Sequence, residues 1–182
     1  MTVDLFLSAD GWAKGVASPG YFGYHGPDLE RWITEARTPG ERILLGRRTF
    51  DALNGLPQEY RDKGFRRMAA APTTVFSTAL ESVPWPGAEV ARVDPAEYVR
   101  SAADDVPLRT MGSLSIVRQL LDVGLVGRMR LLFFPCLVGA GGREAPFEGV
   151  RSADLEVTDR RLLDGRIVLV EYRPTGRPAP AA

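Results

Sequence analysis

The 182-residue chain has one cysteine, one histidine and two lysines, and each scarcity excludes something. A single thiol, Cys136, cannot build a disulfide framework, which fits an intracellular setting. One histidine and one cysteine cannot supply the His-plus-Cys-x-x-Cys ligands of a zinc deaminase, or the clusters of a metal hydrolase, so no metal site is expected. The formal net charge is zero, so no charge footprint for nucleic acid or an anionic membrane is expected. No window approaches the ~18–20 apolar residues of a membrane span. The opening MTVDLFLSADGW has no basic segment and only a short apolar run, which predicts no signal peptide and a cytoplasmic protein. Lys14 and Lys63 stand among many arginines, a bias read as genomic rather than mechanistic.

What is present suits one globular domain. Hydrophobic residues make up 45% of the chain and charged ones 25%, enough for a core and against global disorder. Val3 to Leu7 reads as a buried first strand. Residues 10–26, DGWAKGVASPGYFGYHG, keep no periodicity and read as a long functional loop whose aromatics want burial or a ligand face. Pro27 starts a helix with Asp28 in its first turn, and Thr38-Pro39-Gly40 ends it. Ile43 to Leu45 is a strand, and Gly46 opens a turn into Arg47, Arg48, Thr49 and Phe50. Residues 54–72 read as irregular. Thr73 to Phe76 and Ala88 to Val93 are strands. Asp94-Pro95-Ala96-Glu97 is an N-cap, a proline and an acid that begin a helix.

Leu108 to Met111 is a strand running into Gly112-Ser113, and a helix covers Leu114 to Val123 with Gly124 closing it. Met129 to Val138 is the longest apolar run and reads as a central strand. Leu155 to Leu163 and Arg166 to Tyr172 flank Asp164-Gly165, a two-residue hairpin signal. Strands alternating with helices, then a hairpin, predict an α/β fold with a mostly parallel sheet and an antiparallel edge. One domain spans residues 1–173, and residues 174–182 form a flexible tail.

Three predicted strand ends carry anion-binding chemistry, and ligands of open α/β sheets collect at such ends. Arg47 and Arg48 follow one, Ser77 and Thr78 another, and Gly112, Ser113, Leu114 and Ser115 follow a third and open a helix. Arginine forks and hydroxyls suit phosphate oxygens, and a helix start offers backbone N–H groups. Singly, each also reads as a solvated turn, a cap or plain helix capping. Together they suit a dinucleotide carrying a 2′-phosphate. GAGGRE at 139–144 looks like half of a dinucleotide fingerprint, but Pro146 follows and no helix opens. Cys136 reads as an inert thiol in an apolar strand.

The segments LFLSADGWAKG, LLGRRTFDAL, TVFSTAL and MGSLSIVRQLLDVGLVGRMRLLFFPCLVGAGG, in this order, resemble the dihydrofolate-reductase-like superfamily. The closer likeness is to the reductase half of the bifunctional riboflavin-biosynthesis deaminase–reductase and its stand-alone relatives. The resemblance implies a three-layer α/β/α fold with about eight strands and hydride transfer from NADPH. It assigns cofactor phosphates to Gly46, Arg47, Arg48 and Thr49, and the adenosine 2′-phosphate to Ser77 and Thr78. It gives the pyrophosphate to Gly112, Ser113, Leu114 and Ser115, and the nicotinamide cover to Asp10, Gly11 and Trp12. Relatives often form homodimers.

Against the folate enzymes, Met111-Gly112 replaces their Gly-Gly pair, their glutamate-binding arginine falls near Ala71, and their pterin-site threonine falls near Phe134 or Pro135. Asp28 does fall where they carry their active-site acid. The reading is therefore a riboflavin-biosynthesis-type reductase, with Asp28, Asp10 and His25 as candidates for moving a proton. The alternatives are a dihydrofolate reductase and an NADPH-binding protein without turnover.

Overall fold

The computed structural model describes residues 1–15, 20–102 and 106–180, so part of the 10–26 loop, residues 16–19, lies outside it. In chain order the elements are β1 (Thr2–Ser8), β2 (Lys14–Gly15), α1 (Pro27–Glu35), β3 (Arg42–Gly46), α2 (Arg47–Asn54), α3 (Lys63–Ala69), β4 (Thr73–Phe76), β5 (Ala88–Ala91), α4 (Pro95–Ser101), β6 (Leu108–Met111), α5 (Leu114–Asp122), β7 (Arg128–Phe134), β8 (Gly142–Arg143), β9 (Leu155–Leu163) and β10 (Ile167–Pro174). Eight strands form one sheet in the order β5-β4-β3-β6-β1-β7-β10-β9. β3 to β7 and β1 pair in parallel, and β10 runs antiparallel to β7 and β9. The expected α/β architecture is therefore present, with the antiparallel edge at the carboxyl-terminal hairpin.

Strand alternation sends side chains of β1 to two cores. Val3, Leu5 and Leu7 join Leu114, Ile116, Val117 and Leu120 of α5 in one. Phe6 points to the other side and meets the Trp32 ring of α1 edge-on at 6.4 Å. Each fully buried aliphatic side chain of α5 contributes about 1.5–3 kcal/mol, so four of them on one stripe hold the helix to the sheet.

Several boundaries differ from the sequence expectation. The Gly46 turn is the start of a full helix, α2. The 54–72 segment contains α3, whose Asp62 N-cap accepts from the Phe65 amide at 2.8 Å. β5 stops at Ala91, and β7 stops at Phe134 because Pro135 cannot continue the ladder. Cys136 lies beyond that strand end and is half-buried. The glycine-rich 139–144 segment opens no long helix; its last part is β8, which pairs with β2.

Helix α1 has no cap of its own: Gly26 offers no side chain, and no basic residue lies in the last turn. Distant residues supply both ends. Asp164, in the β9–β10 turn, accepts from the Asp28 and Leu29 amides at 2.9 and 3.0 Å, and the Asp28 carboxylate accepts from the Asp164 amide at 3.0 Å. A Cβ at position 26 would lie 2.3 Å from the Asp164 carboxyl carbon, so any side chain there would displace the capping carboxylate. At the other end Arg130 donates to the Ala36 carbonyl at 3.0 Å and stacks over Trp32. Asp164→Ala should lower stability by about 1–2 kcal/mol in urea titrations, the usual cost of a lost N-cap; no change would show that α1 stands without it.

β10 continues past its last pair into a bonded turn: the Thr175 amide donates to Asp154, and the Arg177 guanidinium pairs with the Asp154 carboxylate at 2.8 Å. Among the described residues no helix is long and apolar enough to cross a membrane.

Candidate functional site

The tips of β3, β4, β5 and β6 lie side by side, and a cleft of about 530 Å³ opens across them. Gly46 and Arg47 line it from the β3–α2 junction, Ser77 and Thr78 from the end of β4, Arg92 from the end of β5, and Ser115 and Gln119 from α5. Two of these tips are stitched together. The backbone turns into α5 through Gly112 at φ 63° and Ser113 at φ 48°, both left-handed, which glycine at 112 accepts without strain. Ser113 then accepts from the Gly46 amide at 3.0 Å, and its own amide donates to the Thr49 hydroxyl at 3.0 Å. Thr49, Gly112, Ser113 and Leu114 therefore form the frame behind the cleft rather than its lining.

The cleft is rich in donors. Ser115 lines it from the first turn of α5, where amides have no acceptor within the helix. Arg47 leans on Asp51 at 3.3 Å, and Arg92 donates to the Leu80 carbonyl at 2.9 Å, so each guanidinium is placed while keeping free N–H groups. Ser77 accepts from the Ala79 and Leu80 amides at 3.2 and 3.1 Å, which leaves its O–H to donate outward. The cleft's one carboxylate, Asp94, is turned to the α4 amides of Ala96 and Glu97 and to Gln119. Arg48 is exposed and does not line the cleft.

The other predicted residues sit elsewhere. Gly11 and Trp12 follow β1, and the Trp12 indole lies flat on Gly142, where a Cβ would stand 2.3 Å from the ring. Asp10 accepts from the Val138 and Gly139 amides at 3.1 and 2.7 Å and so ties this loop to the segment after β7. Hydrogen bonds from the Ser8 hydroxyl and the Gly139 amide hold the Asp10 carboxyl down to about 2, so it is an anion at neutral pH. Asp28 accepts from Arg31 and from the Asp164 amide. His25 is exposed, and its carbonyl accepts from Arg166 at 2.8 Å. Loop aromatics are packed, as their composition implied: Tyr21, Phe22 and Tyr24, with Phe6 of β1, enclose the ring of Phe134.

The family model of the RibD C-terminal domain matches residues 1–169. The chain belongs to this family. Solved structures share its fold. A putative riboflavin biosynthesis protein from Shewanella sp. PV-4 superposes with TM-score 0.71 at 15% identity, covering 96% of this chain and 98% of that one. A pyrimidine reductase-like protein from Corynebacterium diphtheriae gives 0.64 at 16% identity, over 95% of this chain and 90% of its own. The Thermotoga maritima diaminohydroxyphosphoribosylaminopyrimidine deaminase/5-amino-6-(5-phosphoribosylamino)uracil reductase gives 0.64 at 19% identity, with 95% of this chain matching 56% of that longer one. No curated protein sequence matches the chain.

Within this RibD C-terminal domain, sequence reasoning missed Arg92 and Gln119 as cleft residues. Arg92 follows a fourth strand end, equivalent to the three that were read. Gln119 lies four residues after Ser115 on α5, hence on the same helical face. Asp94 was read as a helix cap, which it is, and it also reaches the cleft.

Proposed function

We propose that this protein is an NADPH-dependent reductase of a small heterocyclic substrate, of the 5-amino-6-(5-phosphoribosylamino)uracil reductase type. The observation that carries the reading is the convergence of four strand tips on one donor-lined cleft. Two guanidiniums, three hydroxyls and the start of α5 suit a ligand with several phosphates, including a 2′-phosphate. The family and its structural relatives, named as riboflavin-biosynthesis proteins and reductases, support the substrate class.

Bound there, NADPH supplies a hydride for a C=N or C=O carbon of the substrate. The protein's own part is placement. Arg47, Arg92, Ser77 and Thr78 hold the phosphate end, the Gly46–Ser113–Thr49 bonds keep the strand tips in register, and the Asp10 and Trp12 contacts fasten the loop after β1. Placement of donor and acceptor within roughly 3–3.5 Å is the chief contribution such a fold makes. Of the candidates for proton movement, Asp10 is bonded to the Val138 and Gly139 amides, Asp28 is bonded to Arg31 and the Asp164 amide, and His25 is exposed at the entry to α1.

Folate is disfavoured at Phe134, where a buried ring stands close to the expected pterin-site threonine. A cytoplasmic homodimer belongs to the same reading. It is supported by Leu162 and Val168, directly paired across β9 and β10 yet 61% and 43% exposed, with sedimentation velocity as its check.

The deciding assay follows NADPH absorbance with 5-amino-6-(5-phosphoribosylamino)uracil, dihydrofolate and quinones as acceptors. Oxidation with the uracil and not with dihydrofolate is expected. NADPH binding without oxidation by any acceptor would replace the reductase with a binding protein, and efficient dihydrofolate turnover would make it a folate enzyme.

A further inference from the structure

At the rim of the cleft, the side chains of Asp94 and Gln119 are bonded to each other. Asp94 sits just before α4, and one of its carboxylate oxygens accepts from the Ala96 and Glu97 amides at 2.9 and 3.1 Å. The other oxygen accepts from the Gln119 side-chain nitrogen. An ionised carboxylate only accepts, so Gln119 must turn its NH₂ toward Asp94. The bonds from Glu97, Gln119 and Ala96 keep the Asp94 carboxyl below its ordinary range, so this orientation holds through neutral pH. What Gln119 leaves facing outward is its carbonyl oxygen and one N–H. Ile116, Val93 and Pro95 also line the cleft and add apolar surface to it.

A carbonyl and an N–H side by side complement the exocyclic amine and N1 of adenine, a donor next to an acceptor. Hypoxanthine presents an acceptor oxygen in place of the amine and an N1–H donor in place of the N1 acceptor. A free glutamine meets either base by turning its amide over; a glutamine bonded to a carboxylate cannot without losing that bond. We propose that Gln119, held in one orientation by Asp94, selects adenine over a 6-oxo purine in the dinucleotide. The inference rests on the NADPH reading above and adds base selectivity to it. Gln119 is the residue that touches the base, and Asp94 is a positioning residue.

The test is calorimetric titration of the full chain with NADPH and with reduced nicotinamide hypoxanthine dinucleotide phosphate. The wild type should bind NADPH about tenfold more tightly, the discrimination of one oriented polar contact. Gln119→Leu should bring the ratio near one, chiefly by weakening NADPH. Asp94→Asn keeps a capping side chain for α4. With its oxygen capping α4, its NH₂ faces Gln119 and draws the Gln119 carbonyl inward, so the ratio should fall to one or below. Thermal melts confirm that both variants are folded, and a loss of helix stability alone weakens both ligands equally and leaves the ratio unmoved. Equal binding of the two dinucleotides by the wild type overturns the inference while the NADPH reading stands. An unchanged ratio in Asp94→Asn overturns the positioning role, and absence of NADPH binding to the wild type overturns both.

Discussion

Asp4→Asn should cost about 3–5 kcal/mol, the usual price of breaking a buried ion pair from one side. Asp4 lies on β1 with none of its surface exposed, and the neighbouring strands β6 and β7 place Arg109 and Arg130 on either side of it. Its carboxylate accepts from Arg109 Nε at 2.7 Å, Arg130 Nε at 2.6 Å and Arg130 Nη2 at 2.9 Å. Glu41 takes Arg109 Nη1 at 3.0 Å and also accepts from the Thr38 amide. In the variant, Arg109 keeps Glu41 but Arg130 loses its carboxylate and keeps only the Ala36 carbonyl, and the new NH₂ faces donors. A domain of this size is stable by about 5–15 kcal/mol, so the loss is a large fraction of the whole. Chemical denaturation reads it as a lower midpoint with unchanged slope. A change under about 1 kcal/mol would mean that water or rearrangement replaces the carboxylate. Replacing Asp4, Glu41, Arg109 and Arg130 together by Leu, Met, Met and Met removes two charges of each sign and should recover most of the loss.

Removing both cleft arginines should separate the two nicotinamide dinucleotides. Arg47→Ala and Arg92→Ala should each weaken NADPH about tenfold, and the double variant about 100-fold, because a hydrogen bond to a charged group contributes about 1.5–3 kcal/mol and some is screened at an open cleft. NADH lacks the 2′-phosphate and should weaken by less than about threefold. Arg48→Ala, which alters a side chain outside the cleft, should leave both unchanged. The readout is the ratio of dissociation constants at fixed salt. An equal loss for NADPH and NADH would move the arginines to the pyrophosphate, and a larger effect at Arg48 than at Arg47 would reverse the assignment between them.

Much of the fold was readable in sequence because its signals are local. β4 and β6 have the predicted limits, since short apolar runs bounded by turns leave little freedom. Asp94 caps α4 through the amides expected of an Asp-Pro-x-Glu start. Asp164 and Gly165 take φ 50° and 66°, the left-handed pair that a two-residue hairpin needs. The cleft-lining tips were legible for the same reason, as hydroxyls, an arginine and a glycine placed just after strands. α3 was missed because Lys63-Gly64 weakens its first turn and its packing residues, Phe65 and Met68, gain their partners only from Trp85 and its neighbours. The arginine excess, read as genomic bias, also has structural uses: Arg61 and Arg130 donate to the carbonyls at the ends of α2 and α1.

Alone, the order of residues determined where strands begin, which helices have caps, and which chemistry follows each strand. Tertiary structure decided which tips are neighbours, that Arg92 faces the cleft and Arg48 does not, and that Asp28 is bonded to a turn 136 positions away. The division is physical. Caps, turns and periodicity act over a few residues and are written in short segments, whereas ion pairs, trans-capping and clefts depend on sheet order and register, which the whole chain settles together.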